Sequence, residues 1–488
     1  MRRDNSPTTA LKDFLPPMKT RFLALALGAV TLGACDDSFV PDYNNPNESD
    51  FTVFTSRDQL QSTATGLADG DRQLHDFQVL IQETIGRNVY RIDGSEPRYI
   101  TSPLGALAVS RTNFIGAAIW TGPYSNIRTA RLLTSASDSS NFALNPLSEA
   151  EKAGTRGYAK TLQALQYIRL IETRDTVGVP IVLDVDVVPD PIRCKPAVLE
   201  YISALLDTAA TDLGAAGTAL PFELPAGFAG FDTPAGMLQF NRGLKAKVEI
   251  YRAFQAFGAA QTFASIDQAA LARAQEALTA SFYNPGGDFN AGVYHVYSTS
   301  AGEYSNPNFG PAIMRINPRV VLEADPGDLR VPAKVNTDPT SVANSTIGGP
   351  LEVPSGYLDK VNASPVTPLP ILSNAELILL QAEIYWGLGR YAEALAQSNV
   401  VRTSAQGGGL APRVINVGTP QGQADVLREI LKQKRYQLLF TSPSRHVDYR
   451  MFGILSELGQ ERGNEPVSVL RLPQTELDAR GGVGSCTA

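Results

Sequence analysis

Apolar residues recur at helical spacing through most of the chain. Between Ser148 and Arg174, Tyr158, Leu162, Leu165, Ile168 and Ile171 fall three or four positions apart, and Ala159, Ala164 and Tyr167 widen the stripe. That period predicts an amphipathic helix. Similar patterning predicts a helix opening at Ser56 as N-cap, and one from about Asn113 to Ser137 that Gly122 and Pro123 should break or kink. Another starts just past Pro196, carried by Leu199, Ile202, Leu205, Leu206 and Ala209, and a further one begins near Gly243. The strongest pattern runs from Ser373 to Leu410. There Leu377, Leu380, Ile384 and Leu388 form one stripe, Gly389 interrupts, and Tyr391, Ala394 and Leu395 start a second. This predicts an antiparallel helical hairpin in which Ala382 and Ala394 permit close approach, as in tetratricopeptide units of about 34 residues.

Helical periodicity fails near 86–112, 220–240 and 282–370, where Gly, Pro, Asn and aromatic residues accumulate. Structureless loops beyond about 12–15 residues are uncommon inside compact domains, so such stretches point to functional loops or small strands. The expected fold is therefore mainly α: one domain over 55–488, a tetratricopeptide-like helical hairpin scaffold with long irregular insertions and little β structure.

The N-terminal pattern differs from the rest. Lys19 and Arg21 precede the apolar run FLALALGAV (22–30), and LGAC closes it at Cys35. Nine apolar residues are too few to span a bilayer, which takes about 20, and the order is that of a signal peptide over 1–34. The LGAC tetrad resembles the bacterial lipobox, which makes Cys35 the expected lipidation site. Met18 opens an alternative start, MKTRF, leaving 1–17 as an upstream extension. Residues 35–54, rich in Asp, Asn and Pro, form the expected tether.

The 488 residues carry a formal net charge of -7 with 43% hydrophobic and 19% charged positions. This balance gives no basic footprint for nucleic acid. Lipidation uses one of three cysteines and leaves Cys194 and Cys486, in an exported chain, either as a disulfide or as two separate buried thiols. Neither lies in a zinc spacing, and His75, His295 and His446 are far apart, so no metal site and no cofactor is expected. The acidic run DVDVVPD (184–190) could offer carboxylates to calcium, but it lacks the EF-hand pattern and its Gly and is assigned to a solvated strand-turn segment. No GxSxG, HExxH, P-loop or GxGxxG in its proper context is present, and no catalytic residue is assigned.

Several segments together resemble the SusD/RagB family of nutrient-uptake outer-membrane lipoproteins. They are the hairpin AELILLQAE with Asn399 and Arg402 downstream, the segment 424–453 with Arg435, Arg445, Asp448 and Arg450, and the closing Pro473, Glu476, Leu477 and Asp478. Trp120, Tyr124 and Ile127, and the step VGVPIVL, fit the same order. The departures are Lys434, Leu438 and Ser442, where the family often has acids, and Pro443, which replaces its glycine. These departures imply that ion pairs usual there are missing. Trp120 and Trp386 are assigned to the core, and the Arg435, Arg445, Asp448 and Arg450 cluster to an ion-pair network.

The resemblance implies a non-enzymatic lipoprotein on the outer membrane, facing the cell exterior. It would act as the lid of a SusC-like TonB-dependent β-barrel transporter and capture an oligosaccharide or peptide. Sugar capture uses aromatic faces for apolar ring surfaces and planar amides or carboxylates for hydroxyls. The expected contacts are Tyr90, Arg91, Asp93 and Tyr99 in one loop, and Tyr294, His295, Tyr297, Tyr304, Asn306, Asn308 and Phe309 in another. Two other functions fit the residues: a tetratricopeptide-type envelope scaffold lipoprotein and a secreted polysaccharide hydrolase.

Overall fold

The computed structural model describes residues 54–486 apart from 106–108, 140–141, 143–145, 182–189, 312, 338–345, 348–350 and 353–356. The signal peptide, Cys35, the tether up to residue 53 and the acidic run at 184–189 lie outside the described residues. The longer helices are α1 (Arg57–Ile85), α2 (Phe114–Asp138), α3 (Glu149–Arg174), α4 (Lys195–Ala215), α5 (Pro234–Phe254), α6 (Gln268–Thr279), α7 (Asn374–Gly387), α8 (Tyr391–Thr403), α9 (Pro420–Gln437) and α10 (Ser444–Met451). Neighbours in sequence pack on one another, α2 on α3, α3 on α4, α4 on α5, α5 on α6, and then α7 on α8 and α8 on α9. The fold is mainly α, as expected.

Side-chain caps set most helix starts. Ser148 accepts from the Glu151 amide while the Glu151 carboxylate accepts from the Ser148 amide, a full capping box for α3. Ser56, Asn113, Thr233, Asp267, Ser373 and Thr419 cap α1, α2, α5, α6, α7 and α9. Gly389, at φ +73°, ends α7 in the left-handed conformation that glycine adopts without strain and turns the chain into α8. The hairpin forms as the pattern predicts, but α7 is buried nearly all round, including Glu376, Gln381 and Glu383.

Three helices differ from expectation. α2 runs without a break from Phe114 to Asp138 with Pro123 buried inside it. Here tertiary packing outweighs the local breaker: Gly122 lies so close to Leu74 of α1 that a Cβ would stand 2.1 Å from Leu74 Cδ2. α5 starts nine residues before Gly243, with Pro234 in its first turn. α6 went unpredicted, because its buried stripe of Ala270, Leu271, Ala274, Ala277 and Leu278 is largely alanine.

The irregular stretches pair with each other. β1 (Val89–Arg91), β3 (Met314–Ile316), β5 (Tyr357–Asp359) and β4 (Val335–Asn336) form a four-stranded antiparallel sheet in that order. β2 (Gly292–His295) pairs with β6 (Leu369–Ser373), which leads directly into α7. The 86–112 and 282–370 segments are thus one layer laid on the helices. Cys194 and Cys486 form a disulfide that fastens the C-terminal segment to the start of α4.

The interior carries charge. Lys434 Nζ lies 2.6 Å from Glu383 and 2.8 Å from Asp448, and Lys247 lies 3.1 Å from Glu172 and 3.2 Å from Glu376. At the departure from the family pattern, then, Lys434 makes two buried ion pairs. Arg435 pairs with Glu323 and Arg450 with Asp175, whereas Arg445 donates to the Gly86 carbonyl at 2.7 Å and to Asn88 Oδ1 at 2.9 Å. Trp120 and Trp386 are both 3% exposed, and their indole N–H groups donate to Glu476 and to the Gln423 carbonyl.

Removing one partner of a buried pair leaves an uncompensated charge, at a cost of roughly 3–5 kcal/mol. Lys434→Met should therefore lower unfolding free energy by about that amount in urea denaturation at pH 7. A midpoint matching the parent would show that the two carboxyls take up the charge by protonation at no cost.

Candidate functional site

Two loops carry the expected contacts, and both border α1. In the first, β1 hands Arg91 to a turn closed by Asp93, whose carboxylate lies 3.2 Å from Arg91 Nη2 and accepts from the Ser95 amide and hydroxyl. Those hydrogen bonds, led by the Ser95 hydroxyl, hold the Asp93 pKa below its usual value. The Arg91 guanidinium stands 4.2 Å over the Tyr99 ring, within cation–π range. Tyr99 meets Phe114 edge-on at 5.6 Å and Phe77 at 6.2 Å, and Arg98 lies 4.6 Å over Phe114. All of these side chains keep part of their surface in solvent. The result is an aromatic patch flanked by two guanidiniums and a carboxylate. Tyr90 points elsewhere: it is buried, and its hydroxyl donates to Glu461 at 2.5 Å.

In the second loop, most of the polar residues are structural. His295 is buried with Nε2 2.8 Å from Asp71, and Asp71 takes a bidentate grip from Arg169 at 2.6 and 2.7 Å. Burial alone would raise the Asp71 pKa, but Arg169 and His295 outweigh it and hold it well below the carboxylate range. Asn306 donates to Asn362 Oδ1 at 2.9 Å and to the Thr367 carbonyl at 2.8 Å, while Asn308 donates to the Asp76 carbonyl at 3.0 Å. These amides pin the loop to its neighbours. Tyr294, half-buried, donates to the Asn290 carbonyl at 2.5 Å. Tyr304 and Phe309 are half-buried, and Tyr304 lies 6.1 Å from the ring of buried Tyr297 and 5.8 Å from the Arg72 guanidinium.

Sequence patterning missed Arg72, Phe77, Arg98 and Phe114. Arg72 and Phe77 sit within α1 and Phe114 opens α2, where an aromatic at helical spacing is normally core. Arg98 adjoins Tyr99 and only that adjacency could have marked it. Among the described residues no group of three or more His, Cys, Asp and Glu is placed to hold a metal.

No protein-family model and no curated protein matches the sequence, so likeness to known proteins is structural. Surface glycan-binding protein A from Bacteroides uniformis superposes with a TM-score of 0.61 at 18% identity, covering 88% of this chain and 98% of that one. A SusD superfamily protein from Bacteroides vulgatus gives 0.60 at 13% identity over 89% and 99%. The fold is that of the SusD superfamily. A structure solved with a xylogluco-oligosaccharide gives 0.58 at 16% identity over 82% and 85%.

One acid of α1, beneath the second loop, is left without a hydrogen-bond partner. Asp76 is fully buried, and the Tyr304 hydroxyl and Phe77 amide approach its carboxylate without reaching hydrogen-bond geometry. Burial raises its pKa from 3.8 to about 7. A raised carboxyl favours the folded state fully below its unfolded pKa, and that advantage is lost as pH climbs toward the folded value. At about 1.4 kcal/mol per unit the loss between pH 4 and 7 is roughly 4 kcal/mol. Relative to Asp76→Asn, the parent should lose stability over that window and run parallel above pH 7. Urea midpoints at pH 4, 5, 6, 7 and 8 measure this, and parallel curves throughout would mean Asp76 is ionised in the folded protein.

Proposed function

We propose that the chain is a lipid-anchored surface protein that captures an oligosaccharide and acts as the lid of a SusC-like TonB-dependent outer-membrane transporter. The observation that carries this reading is the end-to-end likeness to a surface glycan-binding protein, with 98% of that chain covered. Two further features support it. LGAC ending at Cys35 is a lipobox-like tetrad, and Arg91, Asp93, Tyr99 and Phe114 combine aromatic faces with planar charged groups at a partly exposed patch. Tyr294, Tyr304 and Phe309 supply further partly exposed rings. Tyr90, His295, Tyr297, Asn306 and Asn308 shape the two loops from below.

Affinity purification of the lipidated protein from its native membrane tests the partnership. A β-barrel transporter recovered in near-equal amount is expected. Recovery of other envelope proteins instead would favour a scaffold, and release of reducing ends from polymer would favour a hydrolase.

Glycan contact at the patch is tested separately. Stacking on an aromatic face contributes about 1 kcal/mol, so Tyr99→Ala should weaken oligosaccharide binding roughly fivefold to tenfold, measured well below a melting temperature that itself falls with the lost Phe77, Phe114 and Arg91 contacts. Calorimetry with the best-binding oligosaccharide of a panel reads the effect, and equal affinity would remove Tyr99 from the contact surface.

A further inference from the structure

The four-stranded sheet packs one face on an apolar cluster, and its other face is covered at Tyr90 by Ile92, Ile100 and Leu104. Residues directly opposite across antiparallel strands point to the same side. Val89, Ile316 and Tyr357 therefore share a face, as do Tyr90, Arg315 and Leu358. The first set packs with Met314, Val335 and Phe440 in an apolar cluster. On the other face stands Arg315, 8% exposed, with Nε and Nη1 enclosed and lacking any acceptor. Among the described residues it forms no ion pair and no cation–π contact. Burial lowers its pKa with no carboxylate near enough to offset the effect.

Other buried arginines in the molecule are compensated. Arg169 and Arg330 grip aspartates, and Arg174 and Arg445 donate to backbone carbonyls. A guanidinium stays charged at neutral pH, and enclosing it unpaired is costly, so an uncompensated one in a folded protein calls for a counter-charge from outside the chain. Nη2, the guanidinium nitrogen that is not enclosed, can donate to a carboxylate or another oxyanion. Arg91, opposite Met314, turns to the other face of the sheet, so the anion position at Arg315 is separate from the aromatic patch. The neighbouring Tyr90 hydroxyl is already committed to Glu461 and Asn317, and Leu358 on the other side is apolar.

We propose that Arg315 is an anion anchor for an acidic oligosaccharide, taking a sugar carboxylate or sulfate on the sheet face between Tyr90 and Leu358. This rests on the reading of the chain as a glycan-capture protein and narrows the glycan to an anionic one. The attraction is partly screened by salt, so affinity falls as ionic strength rises.

Titration calorimetry on the folded chain with three hexasaccharides tests this: an oligogalacturonate, its neutral methyl ester, and a sulfated galactan without carboxylates. Parent, Arg315→Met and Arg315→Lys are compared. One of the two anionic hexamers should bind better than the ester, and which one names the anion. Arg315→Met should weaken that binding by about tenfold to a hundredfold, with Arg315→Lys between. Without ligand, Arg315→Met should melt at the parent's temperature or higher, because an unpaired buried charge is removed; a clear drop would assign Arg315 a structural role and overturn the proposal. So would an ester that binds as tightly as the acid, or an Arg315→Met protein that binds the acid unchanged. Binding of the ester but of neither anionic hexamer sinks the anion anchor and leaves glycan capture standing. No binding of any of the three sinks both.

Discussion

The structure depends on burying charge that only its partners make tolerable. Four acids, Glu172, Glu376, Glu383 and Asp448, share the interior with two lysines, Lys247 and Lys434. They come from α3, α5, α7, α9 and α10, so the network joins the first half of the helical stack to the hairpin half. Apolar packing is indifferent to small sliding between helices, whereas a lysine held by two carboxylates fixes where each helix must stand. The acids outnumber the lysines, and burial answers by raising Glu383 to about 7 and Asp448 upward, so that part of the charge is neutralised by protons. Tyr251 adds a hydroxyl donor to Glu172 at 2.8 Å. Such networks serve stability less than they serve a single arrangement, because a misregistered helix would leave a charge unpaired.

That constraint explains which parts of the fold were legible in the sequence. Periodicity and caps are local, and the Ser148–Glu151 box, the Gly389 turn and the stripe of α3 follow from neighbours a few residues apart. Pro123 shows the limit: its local rule is sound, but contact between Gly122 and Leu74 of α1 decides the outcome. α6 shows another, since an alanine stripe buries little surface per residue and stands out weakly from its polar positions. Strand pairing between 89–91 and 314–316 joins residues more than two hundred positions apart and has no local signature. The Cys194–Cys486 bond is equally long-range.

The candidate contacts divide in the same way. Loop composition marked the correct segments but could not tell the inside of a loop from its outside. His295, Asn306 and Asn308 face inward because each satisfies a specific buried group, Asp71, Asn362 and the Asp76 carbonyl. Arg91, Asp93 and Tyr99 stay partly in solvent because their partners are one another and the turn at Ser95. Whether an asparagine is a ligand contact or a clamp depends on what lies opposite, and that is a property of the fold.

Scaffold and insertion also differ in how charge is settled. Within the helical stack Lys247, Lys434 and Arg169 are held by carboxylates, and Arg174 and Arg445 by backbone carbonyls. In the insertion layer several clamps are side-chain amides: Asn306 and Asn308 donate to an amide oxygen and to backbone carbonyls, and Asn317 donates to the Glu461 carboxylate. In that layer Arg330 grips Asp328, whereas Arg315 on the sheet is left without a partner. The charge network of the interior thus fixes where the helices stand, and the layer laid on them holds Arg315 without a charge of its own chain to answer it.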